Sequence, residues 1–217
     1  KQNGEVKTDL ELETIAGILT GDITTHIHCY RADEMAMMID LSHEFGFKIG
    51  TFHHATQAYK IADLLQQEGI AIATWSDRWG FKMEAYDGAP LNVAALEWAG
   101  VHTIIHSDSS ILAQRLNVEA AKAMSQAKRG NKPISRQQAL QWITLNPAKT
   151  LGIDDRTGSL TAGKSADVVI WSHDPFSIFA KAEKVFIDGA VVVDRYAPHS
   201  FTSDFLTGQA ISETAHD

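Results

Sequence analysis

Cysteine is almost missing from this chain. Cys29 is the only one, so no disulfide can close within it, and a reducing, cytoplasmic setting is the expectation. No apolar run approaches the roughly 18 to 20 residues that cross a bilayer. No basic-then-apolar leader opens the chain. Neither a membrane nor a secretory role is therefore expected. Long lysine or arginine runs are also lacking. With 19 basic against 27 acidic residues in 217, a net charge of −8, the balance argues against a general nucleic-acid surface. The phosphate-cradling patterns GxGxxG and GxxxxGK[ST] do not occur, which weakens the case for an open α/β cofactor-binding domain. The first residue is Lys1 rather than Met, leaving open a processed chain or a part of something longer.

What is present is a repeating unit. The chain is 44% hydrophobic, which suits one large or two smaller globular domains. Gly21, Gly46, Gly69 and Gly100 each close a segment of helical periodicity and open an apolar, β-rich run. The runs DITTHIH, FKIGTFHH, IAIATWSD and VHTIIHSD alternate only weakly, as strands covered on both faces do. Strands alternating with helices predict parallel βα units. His28 lies seven residues after Gly21; His54, Asp77 and Asp108 each lie eight after Gly46, Gly69 and Gly100. Four successive units thus deliver a His or Asp to one level, the C-terminal mouth of a parallel barrel or the ligand edge of an open sheet.

Beyond residue 110 the pattern changes. Helical stretches cover LNVEAAKAMSQAKRG and SRQQALQWITLNPAKTLG, followed by the strands ADVVIW and VFIDGAVVVD. Asp188-Gly189 between apolar runs is a two-residue hairpin signal. The organisation expected is a partial hydrolase barrel over 1–150, a small β element over 151–197 and a polar tail over 198–217.

His28, His54 and Asp108 come from separate strand ends and are acceptable ligands for a zinc-type ion. A metal held there would acidify water and polarise a carbonyl, and Asp108 would serve as proton acceptor. Taken singly, a histidine at a strand end is more often a hydrogen-bonded structural residue than a ligand; three acceptable ligand types at matched levels turn the reading towards a metal site. His26, His53, His102 and His106 read as supporting or packing residues. Strand alternation implies that His53 and His54 do not both point inward, and spacing alone does not choose between them. Cys29 as a nucleophile is disfavoured because it should face away from its neighbour His28.

HCYRADEM, FHHATQAYK, VHTIIHSD and LNPAKTLGIDDRTGSLTAGKSADVVIWSHDP together resemble the C-terminal half of the amidohydrolase superfamily, in its imidazolonepropionase- and prolidase-like group. The likeness spans about residues 9 to 195. It implies an α/β fold made of strands 5 to 8 of a (β/α)8 TIM-type barrel, plus part of a small β-sandwich built from both chain ends. It also implies that His28 is the strand-5 ligand, His54 the strand-6 ligand, and Asp108 the strand-8 ligand and catalytic proton acceptor. One or two divalent ions, zinc foremost, would be held in the intact enzyme. The loop WSDRWGFKMEAYDGAPLN would cover the mouth, offering Trp75, Trp79, Lys82 and Glu84 as substrate contacts, or else a packed lid with a solvated Lys/Glu pair.

The departure from the family pattern is a missing half. The strand-1 His-x-His pair and the strand-4 carboxylated lysine or glutamate have no counterpart; His26-Ile27-His28 imitates the pair but follows Gly21 at the strand-5 position. A whole barrel takes about 250 residues. The expectation is the C-terminal portion of a metal-dependent hydrolase of amide, peptide-like or cyclic-amide C–N bonds, using metal-activated water and inactive alone. Open strand edges and apolar interior surface call for an N-terminal half-barrel or a second copy as partner. The alternative is a non-catalytic scaffold or assembly partner that keeps the fold.

Overall fold

The computed structural model describes residues 8–197. Asp9 caps the first helix, α1 (Leu10–Thr20), by accepting from the Glu11 and Leu12 amides, and Gly21 closes it at φ 82°. There follow β1 (Thr25–Cys29), α2 (Ala32–Phe45), β2 (Ile49–His54), a 3-10 turn (Ala58–Ile61) leading into α3 (Ala62–Gln67), β3 (Ala71–Thr74), α4 (Asn92–Ala99) and β4 (Thr103–Ile105). The four strands form one sheet in the order β1-β2-β3-β4, every pair parallel. Gly21, Gly46, Gly69 and Gly100 all adopt φ between 66° and 82°, the left-handed closure that the glycine spacing predicts.

One face of the sheet meets the helices. Cys29, Phe52 and Ile72 bury against Met35, Ile39, Leu65 and Leu96. A second core lies towards β4, where Ile105 and Val93 pack on Trp142 and on Ala120, Ala123, Ala127 and Ala139. The strands are shorter than the apolar runs suggest: VHTIIHSD contributes only three residues to β4.

After α5 (Leu116–Arg129) the long helix expected from SRQQALQWITLNPAKTLG is two: α6 (Arg136–Gln141), opened by a Ser135–Gln138 capping box, and α7 (Leu145–Thr150). The break serves β4. The Trp142 carbonyl accepts from the Ile105 amide at 3.1 Å, and the Asn146 side chain donates to the Thr103 carbonyl at 2.8 Å. The outer edge of β4 is thus partly covered by the chain itself, correcting the expectation that both outer edges are open. β1 has no strand on its other side among the described residues.

A separate antiparallel sheet ends the described chain: β5 (Val168–Trp171), β6 (Ala182–Ile187) and β7 (Ala190–Asp194), in sequence order. Asp188 and Gly189 turn with φ 49° and 81°, the two left-handed residues of the predicted hairpin. No residue of these strands is buried, and Val191 and Val192 are each half exposed, so the described residues cover this sheet only in part. Arg136 joins it to the helices through a two-pronged bond to Asp174. The expected tail over 198–217 lies outside the described residues. None of the described helices is long and apolar enough to cross a membrane.

Candidate active site

Strand register explains which histidines meet. His28 is level with His53, and Cys29 with His54. Phe52 belongs to the core under the helices, so alternation sends His53 to the other face, with His26 and His28. His54 would then point away, but it ends β2 at φ 70°, and Ala55 follows at φ 40°. That left-handed pair turns the His54 ring back, and its Nε2 lies 2.6 Å from His28 Nδ1. His53 Nε2 meanwhile reaches His26 Nδ1 at 3.0 Å. Both members of the HH dipeptide therefore contact β1, contrary to the alternation argument, because the strand ends at the second of them.

A left-handed conformation costs a non-glycine residue roughly 1–2 kcal/mol, so it persists only where its surroundings fix it. Here they do. The Ala55 amide donates to the Cys29 carbonyl at 2.9 Å. The Thr74 hydroxyl donates to the His54 carbonyl at 2.6 Å, and Asn92 Nδ2 donates to the Ala55 carbonyl and the Thr74 hydroxyl.

Aromatic rings flank His54, while His28 is exposed. Tyr30 and Trp75 each stack on His54 with centroids 4.7 Å apart. Trp75 also stacks on His106 at 4.9 Å and donates its indole N–H to the Ser107 carbonyl. Burial, then the neighbouring His28, pulls His54 down to about 4; burial, then His54, pulls His106 down to about 3. Both imidazoles are neutral near pH 7, the form that ligates a metal. Cys29, pushed up to about 11 by burial and then by Glu34, is not a thiolate, in keeping with its weak case as a nucleophile.

Asp108, also left-handed at φ 47°, lines a cavity of about 350 Å³ on the inner face with His26, Thr51, His53 and His106. Asp77 sits three residues past β3, as Asp108 sits three past β4, but it turns outward to Lys122 at 2.8 Å. Counting from the glycines matched Asp77 to Asp108, while His28 and His54 lie a tier lower, within their strands.

The donor set fits two positions of a zinc-type site. Two imidazole ring nitrogens face each other, and the Nδ1 atom of His54 is buried without a partner among the described residues. Among the described residues no three His, Cys, Asp or Glu side chains converge closely enough to hold an ion, so further ligation would come from elsewhere.

The loop after β3 lies against this site. Lys60 pairs with Asp87 at 2.7 Å, Tyr59 donates to the Asp87 carbonyl, and Phe81 sets its edge on Trp75 at 5.6 Å. Of the four contacts expected from the sequence, Trp75 is buried at the pair and Lys82 places Nζ 3.7 Å from the Tyr30 ring centre. Trp79 and Glu84 are exposed, Trp79 standing edge-on to Tyr86. Lys82 and Glu84 form no ion pair among the described residues. Sequence reasoning passed over Tyr30 and Arg78; a ring two residues past His28, and a cation three past Trp75, were the available signals.

A mixed α/β protein with histidines gathered at the strand ends of a parallel sheet is the class that this fold defines. The family model described as "Amidohydrolase family" matches residues 22–193, and the chain belongs to that family. Amidohydrolase tasK of Hapsidospora irregularis is 36% identical over 191 residues, covering 86% of this chain and 19% of that protein. The imidazolonepropionase of Thermoplasma volcanium is 33% identical over 103 residues, 45% of this chain and 25% of its own. An amidohydrolase crystal structure from Thermotoga maritima superposes with a TM-score of 0.81 at 33% identity, covering 88% of this chain and 49% of that one. A zinc-bound adenosine deaminase from Xanthomonas campestris shares the fold at a TM-score of 0.65 and 21% identity, covering 91% of this chain and 51% of its own. The chain thus spans about half the length of the solved structures it matches and a fifth to a quarter of the two curated relatives.

Proposed function

We propose that this chain is the C-terminal portion of a metal-dependent amidohydrolase that cleaves an amide, peptide-like or cyclic-amide C–N bond. The observation that carries the reading is the opposed pair of ring nitrogens, His28 Nδ1 and His54 Nε2, held 2.6 Å apart at adjacent strand ends. His28 and His54 would supply two ligands of a divalent ion, zinc in the first place, with Asp108 and groups of the missing half completing the set in the whole protein; the ion when bound would acidify water and polarise a carbonyl. Asp108 receives the proton of the attacking water and passes it to the leaving nitrogen. Trp75 and Tyr30 exclude bulk water from His54, and the loop carrying Trp79, Lys82 and Glu84 meets the substrate.

Zinc affinity tests this. His54→Asn keeps a residue that tolerates positive φ and removes one of two facing ligands. It is expected to weaken zinc binding by about 10–100-fold or more, since loss of a mere supporting residue already costs that much. A competition titration against a chromogenic chelator would read it. Equal affinities for wild type and variant would place the metal elsewhere and favour the scaffold reading.

The partner belongs to the same proposal. The outer edge of β1, which no described strand pairs, and the half-exposed face of β7 call for an N-terminal half-barrel or a second copy. Light scattering on the chain alone is expected to report association; a monodisperse monomer would count against a missing half.

A further inference from the structure

We infer that Asn92 and the Thr74 hydroxyl form a positioning pair for His54: buried beneath the site, they hold the backbone turn that aims its imidazole at His28. The inference rests on the proposed reading of His54 as a metal ligand and adds the groups that orient it. Asn92, the first residue of α4, and Thr74, the last of β3, are only 2% and 1% exposed, so neither can touch a substrate. Asn92 Oδ1 accepts from the Tyr59 amide at 3.0 Å. Its Nδ2 donates to the Ala55 carbonyl at 3.1 Å and to the Thr74 hydroxyl at 3.2 Å. Thr74 directs its own proton to the His54 carbonyl, 2.6 Å away. Directly and through Thr74, one buried amide therefore holds the carbonyls of both left-handed residues, His54 at φ 70° and Ala55 at φ 40°.

Without that turn β2 would continue extended, and alternation would set His54 on the face opposite His53, with Phe52 and the helices. The bond from the Ala55 amide to the Cys29 carbonyl restrains the turn from the β1 side; Asn92 and Thr74 restrain it from the β3 side. The chemistry of the contacts singles out an amide. Ala55 and Thr74 both present acceptors to Nδ2, Thr74 because its proton is already committed, while Tyr59 presents a donor. The place calls for a side chain that donates twice and accepts once. A carboxylate of the same shape would set oxygen against oxygen at two of the three contacts. A purely structural role would lower stability and leave the ring in place in protein that stays folded. A positioning role moves the ring in folded protein.

The test reads the ring itself. Metal-free chain, isotope-labelled in its histidine rings, is compared by NMR in wild type, Asn92→Asp, Thr74→Val and Thr74→Ser, and His54→Asn identifies the His54 signal by its loss. In wild type the Tyr30 and Trp75 rings stacked on His54 shield its Hε1 proton, placing the signal upfield of that of the exposed His43. Asn92→Asp and Thr74→Val are expected to move it to the exposed position. Thr74→Ser, which keeps the hydroxyl, is expected to leave it unmoved. The His102 signal reports that the fold is retained, since that ring bonds to the Asn146 carbonyl away from the turn. An unmoved His54 signal in the folded variants overturns the inference, as does an equal displacement in Thr74→Ser and Thr74→Val, or a wild-type signal already at the exposed position. Should Asn92→Asp not fold, the Thr74 pair decides. Zinc affinity, read in the same variants, is expected to fall by about 10–100-fold with the ring displaced. A displaced ring beside unchanged zinc affinity would leave the positioning pair standing while removing His54 as a ligand.

Discussion

If the proposed enzyme is completed by its missing half, Asp108→Asn is expected to lower turnover by about 10²–10⁴-fold, the range for losing a positioned proton acceptor, with the thermal midpoint unchanged. The substitution is clean for structural reasons. Asp108 holds φ 47°, a conformation that asparagine shares readily and alanine does not. Its side chain is exposed at the rim of the inner cavity, so the fold loses little. What changes is charge and basicity. The carboxylate is near enough to raise the proton affinity of His53, His54 and His106, against the stronger effect of burial. An amide oxygen can neither take up a proton near pH 7 nor supply that field. Turnover within a factor of two of wild type would remove Asp108 from the role of acceptor. A large fall in the thermal midpoint would make it a structural residue instead.

The sequence made the frame of this site readable because glycine spacing is set by local rules. Each of Gly21, Gly46, Gly69 and Gly100 closes a helix in a conformation that few other residues accept, and the strand must start soon after. The hairpin at Asp188-Gly189 was legible for the same reason. Orientation was harder. Whether His54 faces the site depends on where β2 stops, and the stop is fixed by Thr74 and Asn92, 20 and 38 residues further along the chain. No local pattern carries that information. Asp77 shows the converse: its spacing imitated a ligand, but Lys122 on α5 draws it away. The division of the predicted long helix into α6 and α7 is likewise a tertiary effect. It exchanges one continuous helical ladder for two hydrogen bonds that cover the edge of β4. The position of Lys82 over Tyr30 depends on the whole loop between β3 and α4.

Trp142→Ala should destabilise the chain by about 3–5 kcal/mol, the cost of emptying a large aromatic site in a core, against a total of roughly 5–15 kcal/mol for a domain. Trp142 is fully buried at the centre of the second core. The buried residues that α5 and α6 give to this core are alanines, Ala120, Ala123, Ala127 and Ala139, side chains too short to reach into the space an indole leaves. Collapse would have to move whole helices. The indole N–H also donates to Glu97 Oε2 at 2.9 Å, while Gln138 donates to the other carboxylate oxygen at 3.0 Å. Alanine thus removes one of the carboxylate's two donors as well as volume. Trp142→Phe separates these effects: it retains most of the packing and loses the bond, a loss on the order of 1.5–3 kcal/mol for a bond to a charged group. Urea unfolding of both variants would read the two magnitudes, and a cost below about 1 kcal/mol for alanine, far under the usual range, would mean that this core is not part of the cooperative unit. The consequence reaches the site because β4 is held on one side by β3 and on the other by the Trp142 carbonyl. Asp108 lies three residues beyond that strand, so a loosened α6–α7 junction misplaces the proposed proton acceptor before the rest of the sheet unfolds. At a temperature where Trp142→Ala is still folded, the proposed enzyme should therefore lose turnover, while zinc binding weakens only by the share that Asp108 contributes, because His54 and His28 lie two and three strands away.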